Sequence, residues 1–146
     1  MKKIIITLIS VISMHSVSAQ KYTDIYIKDA NKVALSWLSD MNHSQYENAY
    51  DLLAKEVKTT YSQEIWIAQI NGLMLEWGGL ENRTVTQRNF QSKIEGLEDG
   101  FYVFIEYSSQ YTNTTEHTER LLLKQNDKAR WEIFDYNYEF KSKVEK

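Results

Sequence analysis

The sequence predicts an α+β fold, with three N-terminal helices packed on a four-stranded antiparallel sheet. Three observations predict it. Apolar residues recur at helical spacing as far as Gly78-Gly79, the hydrophobic period changes to two after Arg83, and the turn signals of the second half separate short alternating segments.

The helices are preceded by residues 1–19, which read as a secretory signal. Lys2 and Lys3 lead an apolar run over residues 4–14, interrupted by Thr7, Ser10 and Ser13, and Val17-Ser18-Ala19 supplies small residues ahead of Gln20. The run is shorter than the about 20 residues that a spanning helix needs. Residues 20–146 are then a single domain, exported to the periplasm or the medium and soluble. If the signal is retained, it is expected as a helix or extended tail that packs little against the domain. Its removal takes away two lysines, so a net charge of −3 becomes −5. A mildly acidic domain with scattered basic residues has no electrostatic reason to bind nucleic acid or anionic lipid, and no membrane association is expected after cleavage. The chain has no cysteine and no proline. Disulfides, thiolate nucleophiles, Cys-ligated metals and lipid attachment through cysteine are therefore excluded. Stability must come from a core rich in aromatic residues, and no cofactor is expected.

Tyr26, Ala30, Val33, Trp37 and Met41 step by four, three, four and four, which is one face of a first helix ending at Asn42-His43. Ser44-Gln45-Tyr46-Glu47 has the form of a capping box, worth about 1 kcal/mol, which would start a second helix through Tyr46, Ala49, Tyr50 and Leu53. A third helix is expected from near Ser62, with Glu64 in its first turn. Its stripe is Trp66, Ile70, Leu73 and Trp77, interrupted by Gly72 at a cost of about 1 kcal/mol relative to alanine. Gly78-Gly79 ends it.

Residues 83–94, rich in Thr, Val and Phe, predict the first strand, and Asp99-Gly100 is a hairpin signal. Phe101, Val103, Ile105, Tyr107 and Tyr111 then alternate with Tyr102, Phe104, Glu106 and Ser108. Both faces begin apolar, as for a central strand covered on both sides. Residues 119–125 and 130–140 are the last two strands, joined by a hairpin over residues 126–129.

At this level of detail the chain resembles the bacterial family known as domain of unknown function 4019. The resemblance is carried by Ala34-x-x-Trp37-Leu38, Tyr46, Trp66, Gly78 with Arg83 five residues later, Asp99-Gly100-x-Tyr102, Glu119, Trp131 and Tyr136. It covers roughly residues 34–138. It implies an exported domain with the NTF2-like, cystatin-like cone shape, a bent sheet wrapped around helices, and it carries over no catalytic residue. Two positions depart from the family pattern. Asp127-Lys128-Ala129-Arg130 stands where an Asp-Gly is usual, and Asp135 stands where glycine often precedes the closing tyrosine. Both bear on the last turn.

The chemistry on offer is sparse. His43 lies in an interhelix turn and His117 in a polar loop or strand end, so both are expected in solvent. No ligand spacing points to a metal. Glu106 and Asp135 each interrupt an apolar strand. One of them could point into the cone as a base with a raised pKa, or both could lie on the sheet's solvent face, as simple alternation permits. Trp37, Trp66, Trp77 and Trp131 are core residues first and pocket-lining candidates second. Arg83 could bind an anion, pair with a carboxylate such as Glu119 across the sheet, or cap the third helix. No phosphate loop and no Gly-x-Ser-x-Gly elbow is present.

Two functional classes follow. The first is a non-enzymatic binding domain, with Trp37, Trp66, Arg83, Glu106, Tyr107 and Asp135 as candidate ligand-binding residues. Its partner would be a small apolar molecule in the cone, a protein, or a second copy joined through the sheet. The second is a small cofactor-free enzyme doing proton transfer or hydrolysis in the cone. They part on whether His43, Glu106, His117 or Asp135 reaches the largest cavity.

Overall fold

A computed structural model describes residues 12–143, with side chains from residue 20 onward. Four helices precede four strands: α1 (Ile12–Asn42), α2 (Tyr46–Asp51), α3 (Lys55–Thr60) and α4 (Gln63–Trp77), then β1 (Leu80–Gln91), β2 (Tyr102–Tyr111), β3 (Thr114–Gln125) and β4 (Trp131–Ser142). The strands form one antiparallel meander in the order β1-β2-β3-β4. Helix α1 continues back into the stretch read as a signal; residues 1–11, and with them most of the expected apolar run, lie outside the described residues.

The core forms where the apolar stripe of α1 meets the inner face of the sheet. Ala30, Ala34, Trp37, Leu38 and Met41 pack with Val103, Ile105, Leu121, Leu123 and Ile133, all buried. Small residues at positions 30 and 34 let the helix approach the strands closely, and each large apolar side chain removed from water contributes roughly 1.5–3 kcal/mol. On the outer face Tyr102 is also fully buried. It lies edge-on to Phe134 and donates to the Glu98 carbonyl at 2.9 Å, under the loop of residues 92–101. The start of β2 is thus covered on both sides, as its two apolar faces predict.

Several boundaries differ from the sequence reading. Ser44 does not cap α2. It sits at φ 58, in the left-handed region, and ends α1 instead. The Gln45 amide donates to the Asp40 carbonyl at 2.8 Å and the Ser44 amide to Met41 at 3.4 Å. That is the Schellman pattern. A left-handed residue cannot also take the extended backbone of an N-cap, and Gln45 occupies that place with no side-chain bond. Helix α2 stops at Asp51, because Leu53 leaves it to form a parallel bridge with Ile133. Lys55–Thr60 then makes a short helix of its own, giving four helices where the apolar stripes predict three. Ser62 does cap α4, its hydroxyl accepting from the Ile65 amide at 3.4 Å.

Strand β1 starts three residues early and ends at Gln91, and β3 starts at Thr114. Asp99-Gly100 is the end of a long connection closed by Gly100 N–H to the Ser92 carbonyl, rather than a tight hairpin. In the last turn Ala129 takes φ 57, a conformation that glycine adopts freely. The Asn126 side chain holds the turn by accepting from the Lys128 and Arg130 amides, both at 3.0 Å.

The far end of α4 is tied to the sheet. Gly78 turns out of the helix at φ 79, where an added Cβ would lie 3.0 Å from Asn113 Nδ2. The Asn113 side chain donates to the Glu76 carbonyl and its amide to the Trp77 carbonyl. The Lys143 amide donates to the Asn113 carbonyl at 2.8 Å, so the end of β4 joins the same point.

Candidate functional site

Two polar or open features stand out against the apolar core. One is closed and one is open, and Tyr136 joins them.

The closed feature centres on Glu119, on the inner face of β3 with no exposed surface. Arg83, from β1, grips it with two nitrogens, Nε to Oε2 at 2.8 Å and Nη2 to Oε1 at 3.1 Å. The Ser109 hydroxyl donates to Oε2. Tyr136 and Tyr111 donate to Oε1 at 2.5 and 3.2 Å. Arg83 Nη2 also donates to the Tyr111 oxygen at 2.6 Å. Burial works against the charge on Glu119, but the guanidinium and the donated hydrogen bonds outweigh it and hold the carboxyl below its ordinary range. The same burial and the adjacent carboxylate raise Tyr111 and Tyr136. Every lone pair of the carboxylate has a donor, so Glu119 has no capacity left to accept a proton from a substrate. Of the roles open to Arg83, the structure selects the ion pair with Glu119.

The open feature is a groove of about 710 Å³ between α3–α4 and β4. Trp37 forms its floor with Tyr136, the two rings edge-to-face at 4.9 Å, and Trp66 lies 6.4 Å from Trp37. Ile70 and Leu73 of α4 form one wall, and residues 133–136 with Tyr138 the other. Tyr138 is in turn packed edge-on against Trp77, which also meets Phe140. The groove exists because α4 rests on α1 and α2, while β4 is drawn toward α3 at Ile133.

The candidates from the sequence divide between these places. Trp37, Trp66 and Asp135 line the groove. Arg83 belongs to the buried ion pair. Tyr107 is buried on the inner face, where loss of solvent pushes its phenol up to about 12. Glu106 lies on the outer face. Arg120 Nε donates to it at 2.9 Å and the Thr86 hydroxyl at 2.9 Å, and these bonds lower its pKa, so it is not a base with a raised pKa.

His43 is exposed, as expected. His117 is not. It is a β3 residue, 2% exposed, with its ring perpendicular to Trp77 at 4.3 Å and stacked on Phe140 at 5.3 Å. The polar run of residues 112–118 hides this, because its first residues form a tight turn and the strand has already begun. Nδ1 meets the Thr114 hydroxyl at 2.9 Å, and burial lowers the imidazole's pKa. Trp77 and Trp131 are core residues, the latter against Tyr26. Nothing in the sequence singles out Glu76, Tyr138 or the α3 residues of the groove. Their one signal, an apolar α4 flanked by carboxylates, is not distinctive. Among the described residues no group of three or more His, Asp or Glu side chains is placed to hold a metal ion.

The fold and site define a class: an α+β domain of one antiparallel sheet, locked internally by a buried ion pair and open laterally along its last strand. A family model described as a protein of unknown function (DUF4019) matches residues 33–136, and the chain belongs to that family. The match spans the Arg83–Glu119 pair, Trp37, Trp66 and Tyr136. A search of curated proteins finds no match.

Proposed function

We propose that the chain is an exported, non-enzymatic binding domain whose ligand lies in the groove between α3–α4 and β4. The observation that carries this reading is the groove's lining. Two tryptophans, three tyrosines and aliphatic side chains face a space of about 710 Å³, within the 300–1,000 Å³ typical of ligand sites. The most elaborate polar network among the described residues is spent internally on Glu119. The charged start, apolar run and small-residue end of residues 1–19 support export. Among the described residues no helix is long and apolar enough to cross a membrane. Helices on one face of a four-stranded antiparallel meander are compatible with the NTF2-like cone that the family resemblance implies.

Native mass spectrometry of the protein purified from the cells that make it tests the reading. A bound mass that is retained by the native chain and lost from an Ile70→Arg variant is the expected result. A ligand-free spectrum, together with tryptophan fluorescence unmoved by any apolar probe, overturns it. One observation favours a second reading. Of the four ionisable residues offered for proton transfer, Asp135 lines the groove, as a cofactor-free enzyme would require. If a ligand is turned over, Asp135→Asn should stop turnover without releasing it.

A further inference from the structure

The groove does not merely sit beside β4; it follows the open edge of that strand. Successive side chains of a strand point to opposite faces. Tyr136 and Tyr138 stand opposite Leu121 and Glu119 on the inner face, while Asp135 stands opposite Leu122 on the outer face. All three line the groove. A cavity that touches residues of both faces must run along the edge between them, where the strand's peptide groups lie.

The chain itself begins to pair with this edge and then stops. The Ile133 amide donates to the Leu52 carbonyl at 2.9 Å, and the Ile133 carbonyl accepts from the Ala54 amide at 2.8 Å. That parallel bridge is a fifth strand one residue long. Helix α3 then carries the backbone away. No other strand among the described residues pairs with this side of β4. Beyond the bulge at Phe134, where Leu123 and Leu122 pair with Ile133 and Asp135, the edge left open from Asp135 to Tyr138 is about 10 Å at the usual rise of a strand. An edge with unpaired peptide groups beside apolar pockets is what β-strand addition uses.

Charge identifies the occupant. Glu56, Glu76 and Asp135 line the groove, and no lysine or arginine does. Glu56 holds Lys124 at 2.6 Å, and among the described residues Glu76 and Asp135 have no ion-pair partner. We infer that the groove takes an extended segment of another polypeptide, alternately apolar and basic, as an additional strand on β4. Its apolar side chains would meet Trp37, Trp66 and Ile70, and its cationic ones Glu76 and Asp135. This inference rests on the groove being the binding site.

The test uses the full chain labelled with ¹⁵N and three acetylated, amidated hexapeptides. One is Lys-Val-Lys-Val-Lys-Val, one is the same peptide N-methylated at alternate residues, and one has glutamate in place of lysine. Benzyltrimethylammonium serves as a small apolar cation. The expected result is that the first peptide binds, moves the amide signals of Asp135 to Tyr138 and slows their hydrogen exchange. The N-methylated peptide should bind at least tenfold more weakly, and the glutamate peptide not at all. Glu76→Lys, checked for folding by circular dichroism, should weaken binding about fivefold, the worth of one partly screened ion pair.

Equal binding of the N-methylated peptide would overturn strand addition. Binding of benzyltrimethylammonium in the groove with no peptide binding would also overturn it, while leaving the groove as a small-ligand site. If no probe binds, or the shifts map elsewhere, both this inference and the binding site beneath it fall.

Discussion

Glu119 and Arg120 are neighbours on β3, yet they belong to different arginine–glutamate pairs on opposite faces of the sheet. Inside, Arg83 Nε meets Glu119 at 2.8 Å; outside, Arg120 Nε meets Glu106 at 2.9 Å. The distances are alike and the chemistry is the same. The surroundings differ. The inner carboxylate is fully buried and has three hydroxyl donors besides its arginine. The outer pair keeps about a quarter of each side chain in water, and Arg120 is shared with Glu139. A charge taken out of water must be matched completely or not buried at all, whereas a charge left in water loses little when its partner goes. Losing one member of the inner pair is therefore costly, and losing one member of the outer pair is not.

Arg83→Met should have the largest effect. It leaves Glu119 buried without its countercharge and should cost about 3–5 kcal/mol in denaturant unfolding. Adding Glu119→Leu should recover only part of this, because the Ser109, Tyr111 and Tyr136 hydroxyls then lose their acceptor. Full recovery would show that the hydroxyls contribute nothing. Tyr136→Phe removes one donor to a charged acceptor and should cost about 2 kcal/mol by the same measurement.

The pH dependence sharpens the contrast further. Glu119 has a lowered pKa when folded, so its contribution is complete above the unfolded value of about 4.3 and is lost as pH falls below it. His117 is lowered too, by burial, so the folded state binds fewer protons and stability declines as pH falls through about 6.5. His117→Gln should flatten thermal stability between pH 7 and 5 and leave the steeper loss below pH 4 in place. Glu106→Gln should have the smallest effect, below about 1 kcal/mol at neutral pH, and it should fade as salt is added. An effect as large as that of Arg83→Met would mean that burial does not distinguish the pairs.

Much of this architecture is legible in the sequence, for identifiable reasons. The stripe of α1 and the alternation of β2 are long and regular, so helix, strand and buried face can be read directly. The Arg83–Glu119 pair is readable only as one of three roles for an arginine just past the Gly-Gly stop, and the strand pairing that brings Glu119 across from it decides among them. Local motifs mislead where a non-local partner decides. Ser44 has the spacing of a capping box, but the close of α1 claims it first. Leu53 continues a helical stripe, but Ile133 pulls it to the sheet edge. His117 sits among polar residues whose strand register, set by β2 where Ser109 stands opposite it, turns it inward. Ala129 carries a left-handed turn that nothing in its side chain announces. The groove was the least legible feature of all, because a space between elements depends on how they pack rather than on what any one of them is. Trp37, Trp66 and Asp135 could be named as candidates, but not as neighbours.

The junction at Gly78 has a consequence for how the chain folds. The last carbonyls of α4 are answered by Asn113, 37 residues beyond Glu76, rather than by residues next to the helix. Closing a loop of that length costs roughly 3 kcal/mol of chain entropy beyond a constant term. The final turn of α4 is thus unfinished until β2 and β3 have met. The Lys143 bond to Asn113 then draws the end of β4 into the same event. Helix end, hairpin and last strand form or melt together, so the wall of the groove that α4 supplies is only as durable as the sheet it faces.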